Sequence, residues 1–221
     1  MQRIGILLAL GCSLIFGQTR LNVGFDIDDT VLYSRFVFEN APRDAAGKLD
    51  YAWINQQDRE LSPVIPPTVS LINYFRSHDH AIYFITGRNP EKGAALARYL
   101  TDVLGFPIEV NRNLFFAPRA VVDGTEIRGK TSIMGALKLD LYYGDADTDI
   151  LAALKARVQP VRVARHSSSI AQYGQNYFGN TLKGDEAAAP WNQQDLERFL
   201  SASVGPFGEP IYPLIWEGPS R

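Results

Sequence analysis

Cysteine is almost absent: Cys12 is the only one among 221 residues. No disulfide can close within the chain, so the fold must stand on core packing alone. A basic cluster is missing too. Lys and Arg total 22 against 24 Asp and Glu, a net charge of −2, which argues against a groove for a nucleic-acid polymer. No internal repeat or low-complexity tract is visible, so neither an array nor a long flexible linker is expected. The N-terminal apolar stretch, Ile4 to Phe16, is too short to span a bilayer comfortably. What is present is a chain with 46% hydrophobic and 21% charged residues, large enough to bury one good-sized core as an ordinary soluble domain.

The first residues combine a basic Arg3, the apolar stretch and a small residue, Gly17, before the chain turns polar. That is the pattern of a secretory signal peptide over 1–17, and it predicts a mature domain over 18–221 that begins near Gln18. The expected location is periplasmic or secreted, with no membrane contact after cleavage. A competing reading takes "ALGC" as a lipoprotein signal acylated at Cys12, but apolar residues continue past it through Leu14, Ile15 and Phe16.

From Leu21 onward apolar runs alternate with amphipathic stretches, the pattern of an α/β fold with a mostly parallel sheet. Strands are predicted at 21–25, 81–86, 114–117, 140–144 and 160–164. "TVSLINYFRSH" places Val69, Ile72 and Phe75 on one helical face. "NPEKGAALARYLTDVLG" reads as a helix capped by Asn89, with Pro90 in its first turn and Gly105 at its end. Further helices are expected from about Lys130 and Asp147. Periodicity fails over 33–64, a polar stretch with scattered aromatics, read as a small insertion covering the C-terminal edge of the sheet, where open α/β sheets bind ligands.

"FDIDDT", 25–30, sets Asp26, Asp28 and Asp29 just past a buried strand. Carboxylates so crowded destabilise one another unless a cation or other partners compensate. Three other stretches fall at comparable places. "ITGR" offers the Thr86 hydroxyl, the Gly87 amide and the Arg88 guanidinium, donors suited to phosphate oxygens. "RGKTS" puts Lys130 at a helix start. "YYGDADTDI" puts Asp145 after another strand, with Asp149 one helical turn later on the same face. Carboxylates from two strand ends can hold a magnesium ion, which prefers oxygen ligands. Each piece alone is weak; in this order, each behind its own strand, they point to a phosphate site.

With those motifs the chain resembles the haloacid dehalogenase (HAD) superfamily, and within it the class B nonspecific acid phosphatases, secreted bacterial enzymes. The resemblance covers roughly 21–167 and continues faintly in "GPFGEPIYPLI", 205–215. It implies a Rossmann-like fold and hydrolysis of phosphate monoesters through an aspartyl-phosphate. By it Asp26 is the nucleophile, Asp28 the general acid and base, and Thr86 and Lys130 phosphate binders. Asp26, the Asp28 carbonyl and Asp145 become magnesium ligands, with Asp149 supporting the metal from behind. It also implies nucleotides and aryl phosphates as substrates, with aromatics of the inserted stretch, Phe36, Phe38, Tyr51 and Trp53, either lining a slot for the leaving group or simply packing.

Family members form tetramers, so a homo-oligomer is expected. The sequence departs from the pattern in two places, which argue against the same tetramer: only about eight residues would precede Asp26, and 175–203 reads as an extra insertion with a helix capped near Asn192. Other readings stay open. One is a narrower nucleotidase, or a class C type acid phosphatase lipid-anchored at Cys12. Another is a noncatalytic storage or binding protein on the same fold, which would need neither Asp26 nor Asp28. His78 and His80 read as a solvated turn; His166, after the strand ending at Ala164, is placed to approach the site mouth.

Overall fold

The computed structural model describes residues 20–122, 125–166, 168–169, 204–205, 207–216 and 218–219. The expected signal peptide, Cys12 and the stretch 175–203 lie outside these residues. No helix among the described residues is long and apolar enough to cross a membrane.

Six parallel strands form the main sheet, in the order β3 (Leu114–Phe116), β2 (Ala81–Thr86), β1 (Asn22–Phe25), β6 (Leu141–Gly144), β7 (Gln159–Val163) and β8 (Ile211–Tyr212). Strand β1 is central, and its neighbours come from distant parts of the sequence, so the first motif lies between two others. A separate antiparallel ladder pairs β4 (Arg119–Val122) with β5 (Thr125–Arg128); it was not anticipated.

Successive side chains on each strand serve opposite faces. Val23, Phe25, Phe84 and Tyr143 pack with Ile72 and Phe75 of α3 (Pro66–Ser77) and Leu96 and Leu100 of α4 (Gly93–Leu104). The alternate residues Ile85 and Tyr142 pack with Met134 of α5 (Gly129–Ala136) and Ala152 and Ala153 of α6 (Asp147–Lys155). Both faces are therefore covered, which explains why the strands read as near-continuous apolar runs. Phe25 stacks on Tyr143 with ring centroids 4.9 Å apart. On the opposite face Gly24 leaves no room for a side chain, because a Cβ there would stand 2.5 Å from Leu139 Cδ1 and 2.7 Å from Tyr142 Cδ2.

Two boundaries differ from the sequence reading. Helix α4 begins at Gly93, not after an Asn89 cap. The carbonyls of Asn89 and Glu91 instead accept from the Asn55 side chain at 3.0 and 2.8 Å, which draws this segment out as a loop. The stretch 33–64 is not irregular throughout: it holds α1 (Arg35–Asn40) and α2 (Tyr51–Leu61). Asp50 caps α2, accepting from the Trp53 amide at 3.0 Å.

Candidate active site

At the C-terminal ends of β1, β2 and β6 lies a cavity of about 660 Å³. Asp26 follows β1, and its amide still donates to the Tyr143 carbonyl at 2.8 Å, continuing the pairing with β6. The chain then folds tightly, with the Val31 and Leu32 amides on the Ile27 carbonyl and Asp29 at φ 52°. Aspartate tolerates this left-handed region better than most residues. This turn lets all three aspartates of the motif line one cavity.

Lys130, at the start of α5, bridges two carboxylates: its ammonium donates to Asp26 Oδ1 and Asp149 Oδ1, both at 2.6 Å. Asp149 comes from the first turn of α6. Gly144 permits that packing, since a Cβ on it would be 2.5 Å from Asp149 Cβ. Asp145 lies at the end of β6, paired with the Arg165 guanidinium, whose Nε also stands 3.7 Å from Asp29.

Burial dominates the electrostatics of this group. It raises the Asp26 carboxyl well above the usual range; Asp149 adds to the rise and Lys130 opposes it. Asp145 is raised by burial against the pull of Arg165, and Asp29 is pushed up to about 7 by burial, again against Arg165. For Lys130, burial alone would lower the ammonium's pKa, but Asp149 and Asp26 reverse this and raise it well above its ordinary value. Asp28 differs from the other aspartates. Burial would raise it, yet the Arg88 guanidinium and the Ser34 hydroxyl hold it below the ordinary carboxylate value.

Asp26, Asp145 and Asp149 are all buried, and each offers a carboxylate oxygen within 4.8 Å of the other two. The donor set is hard oxygen, which suits a divalent cation such as magnesium. Five carboxylates, of Asp26, Asp28, Asp29, Asp145 and Asp149, face four cations, Lys48, Arg88, Lys130 and Arg165, around the cavity. Burial, and then repulsion from neighbouring carboxylates, raise Asp26 and Asp145, and a divalent cation among their oxygens would relieve both, so the residues fit a bound divalent metal.

Of the residues expected at the site, Asp26, Asp28, Phe38, Gly87, Arg88, Lys130, Asp145 and Asp149 line the cavity. Trp53 and Thr86 are not among the lining residues. Thr86 is fully buried and its hydroxyl accepts from the Arg88 amide at 3.2 Å. Of the expected aromatics, Phe38 and Tyr51 line the cavity, edge to face at 6.3 Å, and Phe36 and Trp53 do not. Arg88, expected to meet phosphate, is 1% exposed and directs its guanidinium to Asp28, Asp58 and Asn55. His166 packs against Tyr33 and Trp216 and shares a hydrogen bond of 2.6 Å with Ser168, and it is not among the cavity's lining residues. His80 accepts from the Leu21 amide at 3.1 Å, which gives this turn residue a structural role.

Arg165, Lys48 and the role of Asp147 escaped the sequence reading. Asp147 points away from the cavity and pairs with the fully buried Arg162 at 2.7 Å. Its spacing between Asp145 and Asp149 held the signal, since a helix start that turns two aspartates to one side turns the middle one to the other.

Comparison with known proteins agrees with this geometry. Residues 11–170 match the family described as HAD superfamily, subfamily IIIB (Acid phosphatase). The class B acid phosphatase of Proteus mirabilis (strain HI4320) is 32% identical over 164 residues, 71% of this chain and 68% of that one. That of Xenorhabdus bovienii (strain SS-2004) is 33% identical over 163 residues, 70% of this chain and 67% of the relative. Among solved structures, a haloacid dehalogenase-like hydrolase of Streptococcus pneumoniae overlaps at a TM-score of 0.44 with 12% identity, over 70% of this chain and 91% of that one. The family match spans the residues of all four motifs, and the relatives are about a third identical over some 70% of the chain: the chain belongs to the class B acid phosphatases, subfamily IIIB of the HAD superfamily, and is a phosphomonoesterase.

Proposed function

We propose that the enzyme hydrolyses a broad range of phosphate monoesters through an aspartyl-phosphate on Asp26, with Asp28 as acid and base and magnesium as the cofactor. The observation that carries this is the convergence of Asp26, Asp28, Lys130, Asp145 and Asp149 on one cavity from three separate strand ends.

In the first step an Asp26 oxygen attacks phosphorus and the ester P–O bond breaks; Asp28, which Arg88 holds ionised at rest, must take up a proton from solvent as the substrate phosphate binds, and gives it to the departing alkoxide. In the second, Asp28 takes a proton from water as the water oxygen attacks the same phosphorus. The bond to Asp26 then breaks and inorganic phosphate leaves. Dividing the reaction in two avoids one difficult displacement. Lys130 already contacts Asp26, so its ammonium favours the ionised nucleophile and stands where phosphoryl oxygens gather charge. The Gly87 amide, just past β2 and on the cavity lining, is the expected phosphate donor of this segment, and the buried Thr86 hydroxyl supports it by accepting from the Arg88 amide. Asp26, the Asp28 carbonyl and Asp145 would hold magnesium, with Asp149 behind; the bound ion supplies neutralisation of the phosphoryl oxygens.

Chelation should therefore abolish activity and added magnesium restore it. Loss of even an outer partner typically costs 10- to 100-fold in metal affinity, so Asp145→Asn should raise the magnesium midpoint by at least about 100-fold. Full activity in chelator would overturn the metal reading.

Phosphorylated nucleosides and aryl alcohols are the proposed substrates, because Phe38 and Tyr51 present rings at the cavity. Stacking of a base on an aromatic is worth about 1–3 kcal/mol. Phe38→Ala and Tyr51→Ala should each raise KM for aryl and nucleoside phosphates about tenfold more than for glycerol phosphate. Trp53→Ala, off the cavity lining, should not discriminate. Equal losses on all three substrates would reduce the pair to packing.

Export is proposed from the N-terminal pattern alone. Mass spectrometry of the periplasmic or secreted fraction should find an unmodified chain starting near Gln18; a diacylated Cys12 would favour the lipid-anchored reading.

A further inference from the structure

Asp58 is a fully buried carboxylate on α2, in the inserted stretch, and it belongs to no motif. Its side chain accepts from both terminal nitrogens of Arg88, from Nη2 at 3.0 Å and from Nη1 by a shorter contact. Asn55, one turn earlier, accepts from Nη1 at 3.2 Å. On the other edge of the same plane, Arg88 Nε lies 3.1 Å from Asp28 Oδ2 and Nη2 2.6 Å from Asp28 Oδ1. All five N–H groups of the guanidinium thus have an acceptor, two of them at Asp28 and three on α2.

Arginine's fork is planar and rigid, so gripping one edge sets the direction of the other. The geometry points to Asp58, supported by Asn55, as a positioning residue for proton transfer: through Arg88 it fixes the Asp28 carboxylate so that Oδ2 carries the exchanged proton. Oδ1 accepts from Ser34 Oγ at 2.6 Å as well as from Arg88, whereas Oδ2 accepts only the Nε bond, at 3.1 Å. Oδ2 therefore has the freer lone pair. The inserted stretch then does more than roof the cavity: its second helix orients the acid that protonates the leaving group. A charge here has no advantage for packing, since burying a carboxylate is strongly unfavourable and an apolar residue would fill the space better. Asn55 also ties α2 to the carbonyls of Asn89 and Glu91, so helix and loop hold Arg88 from both sides.

This inference rests on the proposed role of Asp28, and the test separates the two. Turnover is measured on an aryl phosphate, whose leaving group needs little protonation, and on glycerol phosphate, whose alkoxide needs much. General acid–base catalysis contributes roughly 10² to 10⁴, and loss of orientation removes part of it. Asp58→Asn should therefore lower kcat on glycerol phosphate about tenfold more than on the aryl ester, with KM for both little changed. Asn55→Ala should act in the same direction to a smaller extent, and it decides the matter if Asp58→Asn does not fold. Because Asp58 acts only through Asp28, adding Asp58→Asn to Asp28→Asn should lower kcat no further on either substrate. Equal losses on both substrates, or additive losses in the double variant, overturn the inference. Absence of leaving-group dependence in Asp28→Asn itself overturns the assigned role of Asp28 instead.

Discussion

Asp26→Asn is expected to leave essentially no turnover, on any phosphate monoester and at any magnesium concentration. The change is nearly isosteric, and an amide can still accept from Lys130, so the fold should persist. What disappears is the nucleophile, because an amide oxygen does not form the phosphoryl bond. Asp28→Asn behaves differently. It removes proton transfer alone, a loss of roughly 10² to 10⁴, and aryl phosphates should retain part of their rate in the first step. The second step lacks its base, so the phosphorylated enzyme should accumulate. Acid-quenched Asp28→Asn protein, supplied with an aryl phosphate and magnesium, should yield a phosphorylated peptide that contains Asp26. Substantial activity in Asp26→Asn, or a label on another residue, would show that a different group attacks.

That prediction draws on the part of the site that was most legible beforehand. Parallel strands covered on both faces leave long apolar runs, and ligand-binding residues follow their C-terminal ends, so Asp26, Asp145 and Asp149 could be placed by position and residue type; Lys130 was legible by residue type and by its helix start, though it follows the unanticipated β4–β5 ladder. The groups that orient them were hidden because they arrive from elsewhere in the chain. Arg88 stands 30 residues from Asp58, and nothing in "ITGR" says whether its guanidinium faces a phosphate or a buried helix; the position of α2 decides. In the same way, Arg165 became part of the site only because β7 lies next to β6, which brings its side chain to Asp145. Tyr51 and Trp53 were equally aromatic on paper. The Asp50 cap fixes where α2 begins, and Tyr51 is the one that reaches the cavity. The helix after β2 starts three residues later than the local capping signals at Asn89 and Pro90 indicate, because those signals lost to tertiary bonds from Asn55.

The largest expected effect on stability lies behind the cavity. Arg162 of β7 is fully buried, and it donates to Glu209 Oε1 at 2.6 Å, to Asp147 Oδ1 at 2.7 Å and to the Asp145 carbonyl at 3.2 Å. Glu209 comes from the segment that leads into β8, and Gly205 must be glycine beside it, since a Cβ there would be 2.0 Å from the Glu209 carboxylate. One cation therefore ties the end of the described chain to the loop that carries Asp145. Arg162→Met would leave two buried carboxylates without it, and breaking a buried pair by removing one partner costs about 3–5 kcal/mol. That is a large part of the roughly 5–15 kcal/mol that keeps a domain folded, and denaturant unfolding should show it as a midpoint shift at unchanged slope. Glu209→Gln should cost less, because Asp147 remains and an amide oxygen still accepts from Arg162. Combining Arg162→Met with Asp147→Asn and Glu209→Leu removes the uncompensated charges and should recover much of the stability, as apolar replacement of buried ion pairs often does. Magnesium affinity should stay weak in that triple variant, because the Asp145 carbonyl has lost its donor and the loop its anchor. A loss below about 1 kcal/mol for Arg162→Met would mean the network contributes no more than an exposed pair; recovery of magnesium affinity along with stability would mean that Arg162 holds the fold and not the loop.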